Sequence, residues 1–305
     1  MPNPTFSILI TTKNRKADLA FTLDKIQYLL DRKDVDCLIC DDGSTDGTSV
    51  FLQTQYPNIK LIQNSKSKGL IYSRNRLLSL VTAEFAISID DDLHFITPNP
   101  LEIIRNFFEQ NQYAAVLSFR IFWSKNEPQS IATIEEALPM QSYAGGAHTF
   151  RMKAWNEIPD YPAWFIFYGE ENFASYQLFK KNWKVYYLPE VLVNHRVDLK
   201  ARKKNTDYIQ RQCRSLRSGW YLFFLFYPLK NIPRKMAYSL WMQFKLKVFK
   251  GDFRALQAII LALFDLVWNM PRIIKNSNRL TRKEYEEYMG LPETKIYWKS
   301  ENNEM

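Results

Sequence analysis

Short apolar runs of β-forming residues alternate with helical patterns through the first half of this chain. Runs at 6–10, 37–40, 59–62 and 85–89 predict strands, with further candidates at 115–119, 185–188 and 191–194. Between them, apolar residues recur at helical spacing over 19–30 and 70–81. Strands that alternate with helices usually pair in parallel and are covered on both faces. The sequence therefore predicts an α/β fold with a mostly parallel central sheet.

Polar residues follow directly on three of these predicted strands. They are Thr11, the pair Asp41 and Asp42, and the triplet Asp90, Asp91 and Asp92. Ligands of open α/β sheets bind beyond the carboxyl ends of the strands, so these residues are expected at one edge. Neighbouring carboxylates repel each other unless a cation lies among them. The pattern indicates a metal-dependent site for an anionic ligand such as a nucleotide diphosphate.

Each acidic motif, taken alone, also has a purely structural explanation. Asp41 and Asp42 would suit a turn that leads into a helix cap, and the Asp90 triplet would suit an acidic turn. Glu170 and Glu171 follow an aromatic run; one could act as a general base, or both could simply favour a helix N-terminus. His195 ends a predicted strand and could join carboxylates on a Mn²⁺-like ion, or be structural.

Several other functions are excluded by the same sequence. Cys37 and Cys40 form a CxxC string, but inside a strand their side chains would point to opposite faces, which excludes redox and zinc roles. The chain has no GxxxxGK[ST] loop and no GxGxxG after the first strand. These absences argue against a P-loop NTPase and a dinucleotide-binding dehydrogenase. No RNP or zinc-finger module points to nucleic acid.

Taken in order, seven strings resemble the family 2 glycosyltransferases. They are FSILITTKNR, LICDDGSTDGT, KGLIYSRNRLL, FAISIDDDL, YAGGAHTFRMKAW, FYGEEN and VLVNH, and they lie between residues 6 and 195. The resemblance implies the GT-A nucleotide-sugar-binding fold and sugar transfer with inversion. It also implies a divalent cation, Mn²⁺ or Mg²⁺.

The resemblance implies a role for each matched residue. Thr11 and Asp42 match positions that contact the nucleotide base, and Arg74 matches an arginine near the donor. In the DxD-like triplet, Asp90 matches the residue that faces the ribose, Asp91 is counted with the donor-binding residues, and Asp92 matches the ligand of the cation. His195 matches a histidine beside the metal, Gly145 and Gly146 match a loop at the sugars, and Glu171 matches the catalytic base.

Three positions depart from the family pattern. Lys13 stands where an aromatic residue often packs on the nucleotide base. Phe173 replaces a frequent second acid, and Gln177 replaces a frequent arginine. These departures lie next to the donor base and in the segment that follows the expected catalytic glutamate.

The charge of the chain changes near residue 200. Residues 1–200 carry 21 Lys and Arg against 23 Asp and Glu, whereas residues 201–305 carry 20 against 9. This change predicts a GT-A catalytic domain over 1–200 and a basic, aromatic-rich helical region over 201–305. Basic residues interleaved with rings suit a helix lying on an anionic bilayer. Alternatively, these helices pack on the catalytic domain and expose a solvated basic face.

The same region bears on the expected location of the protein. Its apolar runs at 220–227 and 258–264 are shorter than the roughly 20 residues that a spanning helix needs. No targeting segment is visible, and three cysteines suit a reducing compartment. The sequence predicts a cytoplasmic protein that does not cross the membrane and that could be peripheral on its inner face.

Together these features predict a glycosyltransferase that moves a sugar, from a UDP-sugar in the first instance, to a saccharide or lipid-linked acceptor. Cell-surface polysaccharide synthesis is the expected setting. The alternative is a catalytically silent nucleotide-sugar or glycan-binding protein on the same fold, tethered by its basic tail.

Overall fold

The computed structural model describes residues 4–197 and 207–295, which form one large mixed sheet covered by helices. The sheet has nine strands. They are β1 Phe6–Thr12, β2 Val35–Asp41, β3 Lys60–Gln63, β4 Phe85–Asp90, β5 Leu93–Phe95, β6 Ala114–Trp123, β7 Leu138–Met140, β8 Ala147–Arg151 and β9 Lys184–His195. Eight of them lie in the order β3-β2-β1-β4-β8-β6-β9-β5, and β7 pairs with β9.

Helices lie between these strands and follow the last of them. In chain order they are α1 Lys16–Lys25, α2 Gln27–Leu30, α3 Thr48–Gln55, α4 Leu70–Leu78, α5 Pro100–Gln110, α6 Met152–Trp155, α7 Glu170–Lys180, α8 Tyr208–Phe226, α9 Ile232–Leu246, α10 Phe253–Lys275 and α11 Arg282–Gly290. Short 3-10 turns lie at Ala163–Phe165, Leu229–Asn231 and Val248–Lys250.

The prediction of an α/β fold with a mostly parallel sheet is confirmed. Strands β1, β2, β3 and β4 pair in parallel, and β6 pairs in parallel with β9. Because β8 pairs antiparallel with both β4 and β6, these two strands also share one direction. The structure adds antiparallel strands β5, β7 and β8, which the sequence analysis did not predict. It also joins the two strand candidates at 185–188 and 191–194 into β9, whose pairing with β6 is interrupted by a bulge.

Two hydrophobic clusters cover the sheet, one on each face. Cys40 belongs to one and Cys37 to the other, which confirms that the CxxC string spans opposite faces. The cluster that contains Cys40 extends into the C-terminal helices through Trp220, Phe226 and Ile259. The helices after residue 207 therefore pack on the α/β layer. The predicted boundary at residue 200 lies outside the described residues and stays a prediction.

Helix α10 is longer and more apolar than the sequence analysis expected. It runs for 23 residues and is, by length and composition alone, the one helix in the described residues that could cross a membrane. The apolar run at 258–264 is shorter than the helix because Asp265 interrupts the run. Apolar residues continue beyond Asp265. Within this helix Ile259 is buried, whereas Ile260, Phe264 and Val267 are exposed.

Candidate active site

The carboxyl ends of β1, β2 and β4 meet at one edge of the sheet. In the register of these strands Thr12 is opposite Asp41, and Thr11 is opposite Asp90. A cavity of about 740 Å³ opens at this edge. Its lining includes Thr11, Lys13, Arg15, Asp42, Asp90, Asp91, Asp92, Phe167, His195, Arg196 and Arg214. The structure thus brings the predicted donor-binding and metal-ligating residues together, with Arg74 directly behind them.

Asp42 organises the loop that forms one wall of the cavity. Its carboxylate accepts hydrogen bonds from the backbone N–H groups of Lys68 (2.8 Å) and Gly69 (3.0 Å) and from the Ser67 hydroxyl (2.6 Å) and the Asn64 amide (2.7 Å). Burial alone would raise the pKa of Asp42, but these donors outweigh it and hold the pKa below its usual value. Asp42 is therefore a fixed negative charge at the cavity wall.

Asp90, Asp92 and His195 form a cluster that fits a divalent cation. One ligand atom from each of the three lies within 4.8 Å of the others. His195 Nε2 is 3.0 Å from Asp92 Oδ1, yet this buried oxygen accepts no hydrogen bond from the described residues. An oxygen and an imidazole nitrogen aimed at the same space are a donor set for a Mn²⁺-like ion.

Arg15 neutralises the other side of the acidic triplet. Its guanidinium lies 2.9 Å from Asp91 and 2.7 Å from Asp92. Burial raises the pKa of Asp91 to about 7, although the charge of Arg15 opposes it and Thr12 donates a 2.7 Å hydrogen bond. For Asp92, burial acts in the same direction, but His195 and Arg15 outweigh it and lower the pKa. Asp91 thus faces Thr12 and Arg15, whereas Asp90 and Asp92 face His195.

Arg74 connects the acidic triplet to the glutamate pair at the start of α7. It donates to Glu170 (3.0 Å), to Asp90 (3.2 Å) and to the Gly145 carbonyl (2.7 Å), and lies 3.6 Å from Glu171. Burial alone would lower the pKa of Arg74, but the surrounding carboxylates outweigh it and keep the side chain charged. Arg74 therefore places positive charge between the acidic triplet and the glutamates.

The two glutamates have different surroundings. The Glu170 side chain is 2% exposed and is held by Arg74, whereas that of Glu171 is 20% exposed. Burial, and after it the charge of Glu170, raises the pKa of Glu171. A carboxylate with a raised pKa and an open side suits proton transfer. Of the two, Glu171 has the more accessible carboxylate.

Gly145 and Gly146 allow the backbone to approach the acidic side chains closely. A Cβ on Gly145 would lie 1.8 Å from Glu171 Oε1, and one on Gly146 would lie 2.9 Å from Asp90 Oδ2. Any side chain at these positions would displace the carboxylates. The loop expected to line the sugars thus lies close to both Glu171 and the acidic triplet.

Helix α8 supports the loop that leads into α7. Arg217 donates to the Phe165 carbonyl (2.8 Å), and Ser218 donates to the Phe167 carbonyl (3.2 Å). In this loop Ile166 and Tyr168 have positive φ angles of 68° and 70°. Such angles are uncommon for residues other than glycine, so tertiary contacts have to stabilise the loop.

The departures at 173 and 177 are explained by the same C-terminal helices. Phe173 packs against Phe165 and Phe226, with ring centroids 6.2 and 5.4 Å apart. Gln177 accepts a 2.7 Å hydrogen bond from Asn278. These side chains serve the packing of α7 on the tail.

Sequence reasoning missed three arginines of the cavity. Arg15, Arg196 and Arg214 line it together with Lys13. Arg15 lies at the end of the string FSILITTKNR, and its position shortly after β1 could have indicated that it lies near the site. Arg196 directly follows His195, and Arg214 comes from α8. Four cations around one cavity suit a ligand that carries several negative charges.

The fold and this edge of the sheet define a protein of the GT-A glycosyltransferase class. The chain belongs to glycosyl transferase family 2, whose family model matches residues 7–170. EpsE of Bacillus subtilis, described as a glycosyltransferase, is 34% identical over 120 residues. That match covers 37% of this chain and 42% of EpsE, so the similarity spans less than half of the relative.

Solved glycosyltransferase structures have the same fold at low sequence identity. GalNAc-T7 with UDP, GalNAc and Mn²⁺ superposes with a TM-score of 0.57 at 15% identity, over 73% of this chain and 48% of that one. The mannosyltransferase PcManGT from Pyrobaculum calidifontis, in complex with GDP-Man and Mn²⁺, gives 0.54 at 14%, over 95% and 84%. Residues 1–349 of S. aureus TarS give 0.52 at 16%, over 72% and 65%.

Proposed function

We propose that the protein is an inverting glycosyltransferase that uses a nucleotide-sugar donor and a divalent cation, Mn²⁺ or Mg²⁺. The observation that carries the proposal is a cavity with a cation-binding cluster that Arg74 connects to a partly exposed glutamate, Glu171. GalNAc-T7 and PcManGT were solved with nucleotides and Mn²⁺, which supports a donor of the same class. A UDP-sugar is the first donor to test.

The donor would lie along the edge of the sheet. Thr11 and Asp42 would contact the nucleotide base, and Asp90 with Asp91 would border the ribose and diphosphate. Asp92 and His195 would hold the cation, which supplies positive charge to the departing diphosphate when bound. Arg15, Arg196 and Arg214 would add fixed positive charge around the same phosphates.

Glu171 would act as the general base. Its carboxylate takes the proton of an acceptor hydroxyl while that oxygen forms a bond to the anomeric carbon of the donor sugar. The bond from the anomeric carbon to the diphosphate oxygen breaks, and the electron pair leaves with the nucleoside diphosphate. Because attack and departure occur on opposite faces of the sugar, one such displacement inverts its configuration. Arg74 holds the donor end and Glu170 in place during the transfer.

The acceptor we propose is a saccharide or a lipid-linked saccharide, used in the synthesis of cell-surface polysaccharide at the inner face of the membrane. The Glu171 side chain is 20% exposed, which supports access of such a hydroxyl compound to its carboxylate. The strongly basic charge of the C-terminal region supports work close to an anionic surface.

Calorimetry with UDP tests the metal-dependent donor site. The wild-type protein should bind UDP tightly with Mn²⁺ and weakly in chelator, because the diphosphate and the acidic triplet repel each other. Asp92→Ala should lose the gain that Mn²⁺ gives. A matched control is Asp36→Ala, which replaces a carboxylate at the start of β2, away from the cavity. Equal UDP affinity with Mn²⁺ and in chelator would overturn the proposal.

A further inference from the structure

The outer side of α10 is an apolar surface whose side chains are largely exposed to solvent. Large exposed side chains recur along it, several of them three, four or seven residues apart. They are Phe253, Ile260, Phe264, Val267, Trp268 and Ile274, and Phe264 and Trp268 are 66% and 76% exposed. Their spacing places them on one stripe of the helix. An exposed apolar stripe of this length normally marks an interaction surface.

The inner side of α10 packs on α8, which itself packs on the α/β layer. Asp265 pairs with Arg217 (2.6 Å), and its carbonyl accepts from the Tyr221 hydroxyl (3.1 Å). Ala258 and Ala262 are fully buried on this side. Because these contacts would be lost if α10 crossed a bilayer, the geometry favours a helix that lies on a surface.

Helix α9 and the turn after it extend the apolar surface with further rings. Tyr238, Trp241 and Phe249 are exposed, and the rings of Trp241 and Phe249 lie 6.2 Å apart. Helix α9 contacts both α8 and α10, so the two exposed faces belong to neighbouring helices. Tyrosine and tryptophan are the residues enriched where one end of a ring meets hydrocarbon and the other meets water.

A basic cavity lies at the start of α9. It has a volume of about 710 Å³ and is lined by Lys230, Asn231, Arg234, Lys235, Tyr238 and Tyr285. None of the described residues that line it is acidic. Tyr238 belongs both to this cavity and to the exposed row of rings. The cavity therefore offers positive charge next to an apolar surface.

The region that contains these helices carries a large excess of positive charge. Residues 207–283 contain 15 Lys and Arg against three acids. Each of the three acids is already paired, Asp207 with Arg211, Asp252 with Arg254 and Asp265 with Arg217. A second copy of the chain would bring the same positive charge to the contact and would be repelled. The complementary partner is an extended anionic surface.

We propose that the outer faces of α9 and α10 dock on an anionic lipid bilayer. The rings of α9 and α10 enter the interface between headgroups and acyl chains, and the cavity at Lys230, Arg234 and Lys235 takes a lipid phosphate. Exposed Lys245, Lys250 and Lys275 remain at headgroup level. This docking requires no sugar transfer.

Co-sedimentation of the full-length protein with phosphatidylcholine vesicles of graded phosphatidylglycerol content tests the proposal. Binding should rise with phosphatidylglycerol and fall at high salt, as the screening length shortens from about 10 Å at 0.1 M to about 3 Å at 1 M. The proposal would be overturned if the protein did not bind phosphatidylglycerol vesicles at low salt. This holds whether or not the protein forms dimers.

Two variants separate the rings from the cavity. The double variant Phe264→Ser and Trp268→Ser should lower the partition coefficient at least tenfold. The triple variant Lys230→Ala, Arg234→Ala and Lys235→Ala should lower the partition coefficient for phosphatidylglycerol vesicles about a hundredfold. This factor follows because each basic residue near an anionic leaflet strengthens binding several-fold. Full retention of binding by both would overturn the proposal.

Matched controls exclude general effects of exposed residues. Tyr113→Ser with Ile134→Ser removes two large exposed side chains elsewhere, and Lys60→Ala with Lys153→Ala removes two exposed bases elsewhere. These variants should bind vesicles as the wild-type protein does. Glu171→Gln should also bind normally, so a failure of the catalytic proposal is distinguishable from a failure of docking.

Inorganic phosphate distinguishes a lipid phosphate from a free one. One outcome has three parts: phosphate stabilises the wild-type protein against heat, the triple variant at Lys230, Arg234 and Lys235 loses this stabilisation, and the protein does not bind vesicles. In that case the cavity is a site for free phosphate. That result would overturn the lipid assignment. Vesicle binding that survives millimolar phosphate supports it.

Discussion

Replacement of Glu171 by glutamine should abolish most of the turnover while leaving donor binding intact. Glutamine keeps the size of the side chain but cannot accept the proton of the acceptor. Loss of a general base lowers rates by about 10²–10⁴-fold, which corresponds to about 2.7–5.4 kcal/mol of transition-state stabilisation. The upper part of this range is expected, because the raised pKa of Glu171 makes it a stronger base than an ordinary carboxylate.

The assay measures UDP release under saturating UDP-sugar and acceptor, with the donor chosen by thermal-shift screening in Mn²⁺. Calorimetry should give the same UDP affinity for Glu171→Gln and the wild-type protein, because Glu171 is not a member of the cation-binding cluster. The matched control is Glu170→Gln, whose side-chain oxygen can still accept from Arg74 Nη1. We expect this variant to melt at a lower temperature and to keep more activity than Glu171→Gln. An inactive Glu170→Gln beside an active Glu171→Gln would refute the assignment.

Three further outcomes follow from the same site. Gly145→Ala should lower kcat with little change in melting temperature, because its Cβ would displace the carboxylate end of Glu171 and no backbone atom; an unchanged kcat would contradict this. The rate should fall with decreasing pH through a pKa above 4.5, since burial and Glu170 raise the pKa of the base, and a pH–kcat profile checks it. Asp42→Ala should lose about 2–3 kcal/mol of unfolding free energy, measured by urea titration, because several donors lose their acceptor. Since folding lowers the pKa of Asp42, its contribution is present above pH 3.8 and is lost as pH falls through the lower folded value.

The strands that the sequence predicted are those formed by short, largely apolar runs. β1, β2 and β4 are buried on both faces, so their apolar runs are unbroken and easy to find. β5, β7 and β8 have three to five residues each, and their partners are distant in sequence. Local pattern carries little information about such strands, because tertiary pairing creates them.

The acidic residues of the candidate site were predictable because strand ends fix their position. Asp90 follows a buried strand, and parallel pairing brings it opposite Thr11 whatever the side chains around it are. Arg15, Arg196 and Arg214 were not predictable in the same way. Arginines in loops and helices are ordinarily solvated, and only the packed structure turns these three toward one cavity.

The outer face of α10 shows a further limit of sequence patterns. Ile259 and Phe264 are both apolar and lie within two turns, yet one is buried and the other is exposed. Apolar residues lie on both the buried and the exposed side of α10, so the sequence alone does not show which side meets the rest of the protein.

The contact of α8 with the loop before α7 bears on how this protein could be recombined with its relatives. Arg217 and Ser218 each donate to a backbone carbonyl of a loop whose φ angles are unusual. A chimera that took the helices after residue 207 from a relative would need an arginine and a serine at consecutive positions facing that loop. Without them, the two carbonyls would lose these donors and the first turn of α7 would lose its anchor. Productive exchange should therefore place the crossover before the loop at residue 163, so that the loop, α7 and the tail are inherited together.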